Sequence, residues 1–342
     1  MTAFLFPGQG SQSVGMGHQL YEQYAAARER FRAVDEALDV DLLALMFGLD
    51  VDGDAEEALK QTERTQPALY VHSMAAMAVL EARGVHPDMV AGHSLGEYSA
   101  LAAAGALSFE DGLRVVRRRG ELMAEAGERR PGAMAAVLGA DAEEVDAVCE
   151  EVSAEGDGVV QPANYNAPGQ IVVSGDVEAV EQATGQISGR TIPLPVSGAF
   201  HSPLMAYAHD GLAEVLEDVP IEAPRCPVYL NVTAEPTTDP GEIRRCLMEQ
   251  LQSPVRWAQS LRRREGGGAR LLAVGGPPNG AGAAPPARLD DRPERPGVER
   301  AAGPADPARG VGQRDRLAVR RGAGAVHVVN PRELPGLGAV HL

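Results

Sequence analysis

One corner in the chain limits what it can fold into more than any other feature. Asp88-Met89-Val90-Ala91 is a short apolar run, Gly92-His93-Ser94-Leu95-Gly96 follows, and alanine-rich helix formers continue to Ala104. A strand that turns at once into a helix needs a sharp bend, and flanking side chains collide across that bend unless they are small. Glycines two residues before and two after Ser94 meet this need. The unit therefore points to an α/β architecture with a parallel sheet. Its central serine would be lifted clear, and the Leu95 amide at the helix N-terminus would face a carbonyl oxygen that is turning negative. In a glycine-rich chain the same pentapeptide also occurs as an ordinary loop, so Ser94 is a candidate nucleophile on this pattern alone.

Charge and apolar patterning exclude several function classes. The formal net charge of −17 opposes nucleic-acid binding, which needs a basic face for phosphates. No run approaches the roughly 18 apolar residues of a membrane span, and no charged and apolar leader follows Met1, so a cytoplasmic protein with no membrane partner is expected. Cys149, Cys226 and Cys246 stand far apart without a Cys-x-x-Cys spacing, which suggests neither a disulfide framework nor a metal site. A monomeric state is expected.

In chain order, Thr2-Ala3-Phe4-Leu5-Phe6 reads as a strand, and Pro7-Gly8-Gln9-Gly10-Ser11-Gln12 as the loop before a helix around His18 to Val34. That loop occupies the place of a binding loop in an α/β protein, although a plain turn would look the same. It matches neither Gly-x-Gly-x-x-Gly nor a phosphate loop, so no nucleotide cofactor is expected. Leu69, Met74, Met77 and Leu80 mark one face of a helix over Pro67 to Arg83. Ser108 caps a further helix carrying Arg117-Arg118-Arg119, three residues that point in three directions, so at most one or two can face a pocket.

From Gly132 the texture changes to strand, helix, strand, strand, helix, strand: Ala133 to Leu138, Asp141 to Val152, Val159 to Asn164, Gln170 to Ser174, Asp176 to Ile187 and Arg190 to Leu194. This is the order of a split βαβ, ferredoxin-like unit, small enough to be inserted into a larger domain. The chain returns through Gly198-Ala199-Phe200-His201-Ser202-Pro203 to a helix, a strand at Pro227 to Val232, a helix over Pro240 to Leu251, and a loop from Gln250 to Trp257. The expected organisation is a large domain over 1–128, a small subdomain over 129–197, a return to the large domain over 198–276, and an irregular tail over 277–342.

A serine hydroxyl needs a base, and the histidines offer few. His93 adjoins Ser94 but points to the opposite side of an extended strand, and His18, His72, His86 and His209 lie in ordinary contexts. His201, in a loop after a strand, is placed to overhang a sheet edge, though a structural histidine could occupy the same position.

Four segments now stand together: Phe6-Pro7-Gly8-Gln9-Gly10-Ser11-Gln12, Gly92-His93-Ser94-Leu95-Gly96-Glu97-Tyr98, Ala163-Asn164-Tyr165-Asn166-Ala167-Pro168-Gly169-Gln170 and Gly198-Ala199-Phe200-His201-Ser202-Pro203-Leu204-Met205. In order and separation they resemble the malonyl-CoA:acyl-carrier-protein transacylases of fatty acid and polyketide synthesis, from Met1 to about Leu261. The resemblance implies an α/β-hydrolase-like large domain and a Ser94–His201 dyad that moves malonyl from coenzyme A to an acyl carrier protein through a malonyl-serine. It further implies an oxyanion hole from the Gln9 and Leu95 amides, Arg119 on the malonyl carboxylate, and a Gln250 carbonyl orienting His201. Phe200 matches a position tied to the choice of malonyl over branched groups. Asn166 lines the same pocket or simply forms a turn. No cofactor and no metal are implied. A serine hydrolase with the same elbow, and an inactive relative that only binds carriers, are the alternatives.

From Leu261 onward the chain departs from this pattern. It carries 14 Arg against 8 acidic residues and no Ser, Thr, Ile, Phe, Tyr, Trp, Met, Lys or Cys, so the part before it sits near −23. Such a stretch lacks core-filling residues, and little packed structure is expected after about Pro277. Its composition is that of an out-of-frame translation of a GC-rich gene, which resequencing the coding DNA checks. The family's closing strand finds its nearest match in Leu271-Leu272-Ala273-Val274-Gly275-Gly276-Pro277. Acidic carriers would need arginines at the mouth of the site, with Arg117, Arg118 and Arg262 to Arg264 as candidates.

Overall fold

Ten strands form two sheets in the computed structural model, which describes residues 1–35, 41–49, 53–156, 158–196, 198–265, 270–276 and 326–328. By its contacts the chain divides into Met1–Gly282 with Gly324–Leu342, which holds every described residue, and Ala283–Ala323, which lies wholly outside them. The strands are β1 (Thr2–Phe6), β2 (Met89–Gly92), β3 (Ala133–Leu138), β4 (Val160–Ala167), β5 (Gln170–Gly175), β6 (Arg190–Pro193), β7 (Val228–Tyr229), β8 (Pro236–Thr237), β9 (Arg270–Ala273) and β10 (Val326–Val328).

The larger sheet runs β10-β9-β1-β2-β7-β8 and is parallel except for the β7–β8 pair. Its central strand reads Thr-Ala-Phe-Leu-Phe, with four of five residues buried, as expected of a strand covered on both faces. Helices Thr62–Glu81, Gly96–Ala103 and Phe109–Arg129 contribute to the core with Leu69, Met77, Leu101, Val115 and Leu122. The smaller sheet runs β4-β5-β3-β6, antiparallel throughout. Helices Ala142–Glu155 and Val177–Gln186 supply Val145, Cys149, Val152, Val180 and Ala183 to its separate apolar core.

The two sheets follow the expected order of elements, with corrections where tertiary packing overrides local signals. The helix expected from Pro67 begins at Thr62, because Gln66 bonds to Arg119 and Met123 on the neighbouring helix and this holds the first turn in place ahead of the proline. The single helix expected over His18 to Val34 is two, His18–Gln23 and Ala25–Asp35, broken where Tyr24 turns extended. The strand expected over Pro227 to Val232 shortens to two residues. Trp257 opens a helix, Trp257–Glu265, instead of closing a loop, and helices Leu42–Phe47 and Ala55–Lys60 had no counterpart in the reading of the sequence.

The C-terminal part brings one further correction. Leu271 to Ala273 form the expected closing strand, paired with β1 and extended by a Val274 N–H bond to the Leu5 carbonyl. Beyond Pro277, where no packed strand was expected, Val326–Val328 pairs in parallel with β9, whose edge would otherwise present unpaired amides and carbonyls. The rest of 277–342 lies outside the described residues.

Candidate active site

Backbone crowding at the corner explains its glycines. A Cβ on Gly92 would lie 1.8 Å from the Gly96 carbonyl carbon, and one on Gly96 would lie 2.4 Å from the Phe6 carbonyl oxygen. The second contact presses the start of the Gly96–Ala103 helix onto the end of β1, which sets the loop carrying Gln9 beside the elbow. Ser94 itself sits at φ 50, a left-handed conformation that non-glycine residues adopt at a cost. Asn231 clips this strained turn from both sides: its Oδ1 accepts from the Ser94 N–H at 2.6 Å and its Nδ2 donates to the Gly92 carbonyl at 2.7 Å.

His201, at φ 58, is the second residue held in a left-handed conformation here. Its Nε2 lies 2.8 Å from Ser94 Oγ, and its Nδ1 lies 2.9 Å from the backbone carbonyl of Gln250. The loop is tied from the small sheet, where Gln161 Nε2 donates to the His201 carbonyl at 2.7 Å and the Gln252 carbonyl at 3.1 Å. Arg119 Nη2 donates to the same Oγ at 3.0 Å. A guanidinium only donates, so the serine proton has one useful direction, toward Nε2, and Nδ1 must carry the imidazole hydrogen. This is the tautomer a general base requires.

Burial, and then the charge of Arg119, push the His201 imidazole down to about 3, against a smaller upward pull from the Gln250 carbonyl. The imidazole is therefore neutral and able to accept a proton at ordinary pH.

Arg119 is only 1% exposed. It donates to Gln66 Oε1 at 2.8 Å and Gln250 Oε1 at 3.0 Å, and its guanidinium carbon lies 5.6 Å from the centre of the Tyr98 ring. Of the three consecutive arginines it alone turns inward. Arg117 and Arg118 pair with Glu121, and Arg118 also with Glu125, on the outer face of their own helix. The side chains of Arg263 and Arg264 lie outside the described residues.

Ser94, His201, Arg119 and Gln250 thus meet, although up to 156 positions separate them. Asn166 lies within strand β4 rather than in a turn and meets His93, whose Nε2 is 2.8 Å from its Oδ1. His93 is buried and packs edge-on against Trp257. Phe200 is buried beside His201 in the chain, and Leu95 is buried at the start of the elbow helix. The Gln9 side chain donates to Thr62 Oγ1 at 3.2 Å.

Four polar residues of this cluster escaped the reading of the sequence: Asn231, Gln161, Gln66 and Glu97. Glu97 alone carried a signal, since an acid inside a short, alanine-rich and otherwise uncharged helix is out of place unless it is bonded there. Among the described residues, no group of three or more His, Cys, Asp or Glu could hold a metal ion, and no helix is long and apolar enough to cross a membrane.

A family model described as acyl transferase domain matches residues 3–274. The malonyl CoA-acyl carrier protein transacylase of Bacillus subtilis (strain 168) is 51% identical over 263 residues, 76% of this chain and 81% of that protein. The crystal structure of FabD from Acinetobacter baumannii aligns with a TM-score of 0.74 at 41% identity, covering 81% of this chain and 87% of that one. A malonyl-transacylase solved in complex with its type II PKS acyl-carrier protein aligns with a TM-score of 0.73 at 38% identity, covering 81% and 89%.

Proposed function

Because the chain belongs to the acyl transferase domain family, we propose that it transfers a malonyl group from coenzyme A to the phosphopantetheine thiol of an acyl carrier protein by a ping-pong path. One observation carries the reading: a buried guanidinium and a neutral imidazole converge on a single serine oxygen, at 3.0 Å and 2.8 Å. An esterase has no use for a buried cation beside its nucleophile. A transferase of carboxylate-bearing acyl groups does, because a guanidinium offers two parallel donors to a planar anion.

In the first half-reaction Ser94 Oγ attacks the thioester carbonyl as its proton passes to His201 Nε2. The amides of Leu95 and Gln9 receive the developing oxyanion, and the carbon–sulfur bond breaks as His201 returns the proton to the departing coenzyme A thiol. In the second half the carrier thiol gives its proton to His201, its sulfur takes the malonyl carbon, and the proton returns to Ser94 Oγ. The Gln250 carbonyl holds the imidazole in place of the usual carboxylate. Arg119 grips the malonyl carboxylate, and Phe200 and Asn166 shape the acyl pocket.

The finer architecture belongs to the same reading. The large domain over 1–128 and 198–276, whose sheet β10 joins from the tail, is α/β-hydrolase-like, and the smaller sheet is a ferredoxin-like subdomain over 129–197, whose strand order β4-β5-β3-β6 supports that assignment. A cytoplasmic location goes with two water-soluble thioester substrates.

Intact-mass measurement after brief mixing with malonyl-CoA tests the proposal. The expected result is one malonyl group gained, transferable to a carrier thiol and absent from Ser94→Ala. Release of the group to water at the rate of transfer would overturn it.

A further inference from the structure

One ionisable side chain beneath the elbow takes no part in the steps above. Glu97 lies on the first turn of the Gly96–Ala103 helix and is 1% exposed. Its Oε2 accepts from Gln250 Nε2 at 2.6 Å and from the Asn231 N–H at 3.3 Å.

The Gln250 side chain is the link to the site. Its Nε2 donates both to Glu97 Oε2 and, at 3.1 Å, to the Ser94 carbonyl, so both amide hydrogens are committed. That leaves Oε1 facing Arg119 Nη2 at 3.0 Å. Turning the amide over would set its oxygen against a carboxyl and a carbonyl, and its hydrogens against a guanidinium. The carboxyl of Glu97 therefore decides which end of Gln250 faces Arg119, while the backbone of the same glutamine holds His201.

We propose that Glu97 is a positioning residue: acting through Gln250, it holds Arg119 where a substrate carboxylate is gripped, and so sets the preference for malonyl over acetyl thioesters. This rests on the malonyl-transfer reading above. A buried carboxyl carries a desolvation cost that packing alone does not require, and here it is the acceptor for two buried donors, Gln250 Nε2 and the Asn231 N–H. Burial pushes Glu97 up to about 7, opposed by its bonds to Gln250 and Asn231 and by the charge of Arg119. Its value here lies in the geometry it imposes.

The test compares kcat/KM for malonyl-CoA and acetyl-CoA, with carrier protein as acceptor, in the wild type, Glu97→Leu and Glu97→Gln. Glu97→Leu is expected to lower the malonyl-over-acetyl ratio by roughly tenfold or more. Glu97→Gln, whose side-chain oxygen can still accept from Gln250, recovers most of the lost ratio. If the leucine variant fails to fold, Glu97→Ala carries the same comparison. Equal losses for both thioesters, or a glutamine variant no better than the leucine one, would overturn the inference. A wild type that transfers no malonyl would instead overturn the function on which it rests.

Discussion

The floor of the site and the core of the small sheet solve opposite problems. Around β3, β4 and β5 the core is apolar, with Val137, Val145, Val152, Ile171, Val173 and Ile187 in it and only Asn164 and Ser174 as buried polar residues on these strands, and the strands pair in regular register apart from irregularities in β4. Beneath the elbow, Glu97, Arg119, His201, Asn231 and Gln250 are each at most 3% exposed, and among the described residues two of the three non-glycine positions with positive φ are Ser94 and His201. One region maximises packing. The other accepts strain and buried charge in order to fix a few atoms within hydrogen-bond reach of each other.

The sharpest way to break that contrast is to relieve the strain. Ser94→Gly removes the nucleophile and suits φ 50. Acyl transfer should fall by about 10⁴-fold or more. Stability to urea should hold or rise by up to about 1 kcal/mol, the left-handed strain being offset in part by glycine's freedom in the unfolded chain. A clear loss of stability would mean that the elbow stores no strain.

Arg119→Ala comes next. Malonyl transfer should drop by roughly 10²- to 10³-fold, the scale of losing one preorganised donor, and acetyl transfer by much less, so that the preference disappears. Selectivity unchanged by the substitution would refute the proposed grip on the carboxylate. In the small sheet the converse holds. Val173 is fully buried, and Val173→Ala should cost about 2–3 kcal/mol of stability through lost burial and the cavity left behind, while the folded fraction keeps its malonyl preference. A change in selectivity there would show that the two regions are coupled.

This contrast also decides what the sequence made legible. The small sheet is built from short apolar runs that alternate with helical segments in chain order, so Ala133–Leu138 and Gln170–Gly175 could be placed to within a residue. Ser94 and His201 were found through the elbow and the four shared segments, since nothing in local spacing brings together residues 107 positions apart. Asn231 and Gln161 stayed hidden because a lone amide at the end of an apolar run looks like any strand terminus. Gln66 was lost because a proline one residue later mimics a helix start. Glu97 escaped notice although it is an acid in a largely apolar segment, and Gln250 is named in the sequence only for its backbone carbonyl, because the side-chain bond between the two exists only once the chain is folded.

A titration sharpens the contrast from within the site. His201, lowered to about 3, binds its proton more weakly folded than unfolded, so its contribution to stability is complete above pH 6.5 and is lost as pH falls toward 3. Glu97, raised to about 7 from 4.5, behaves oppositely: its carboxyl is neutral in the folded protein and ionised in the unfolded one, so stability is lost as pH rises from 4.5 to 7. Between pH 4.5 and 6.5 the two slopes oppose each other. Glu97→Gln removes one of them, and its stability relative to wild type should grow by up to about 1.4 kcal/mol per pH unit across that window. A difference that does not change with pH in urea titrations at pH 5, 6 and 7 would show that Glu97 keeps an ordinary carboxylate value.

The smallest effect belongs to the residue next to Arg119. Arg118 shares its helix and its charge, yet it is 38% exposed and bonds at 3.1 Å to Glu121 and Glu125, both about as exposed. Water and salt screen such pairs, and the side-chain entropy lost in forming them offsets much of their attraction, so Arg118→Ala should change stability by less than about 0.5 kcal/mol. Its charge is already balanced by Glu121 and Glu125 on the same helix, so a docking acidic carrier meets little net positive potential there, and the KM for the carrier should move by less than about threefold, with the same salt dependence as wild type. A larger shift confined to the carrier, with malonyl-CoA unaffected, would mean that the glutamates release Arg118 on docking and that the outer face of this helix reads the partner as its inner face reads the substrate.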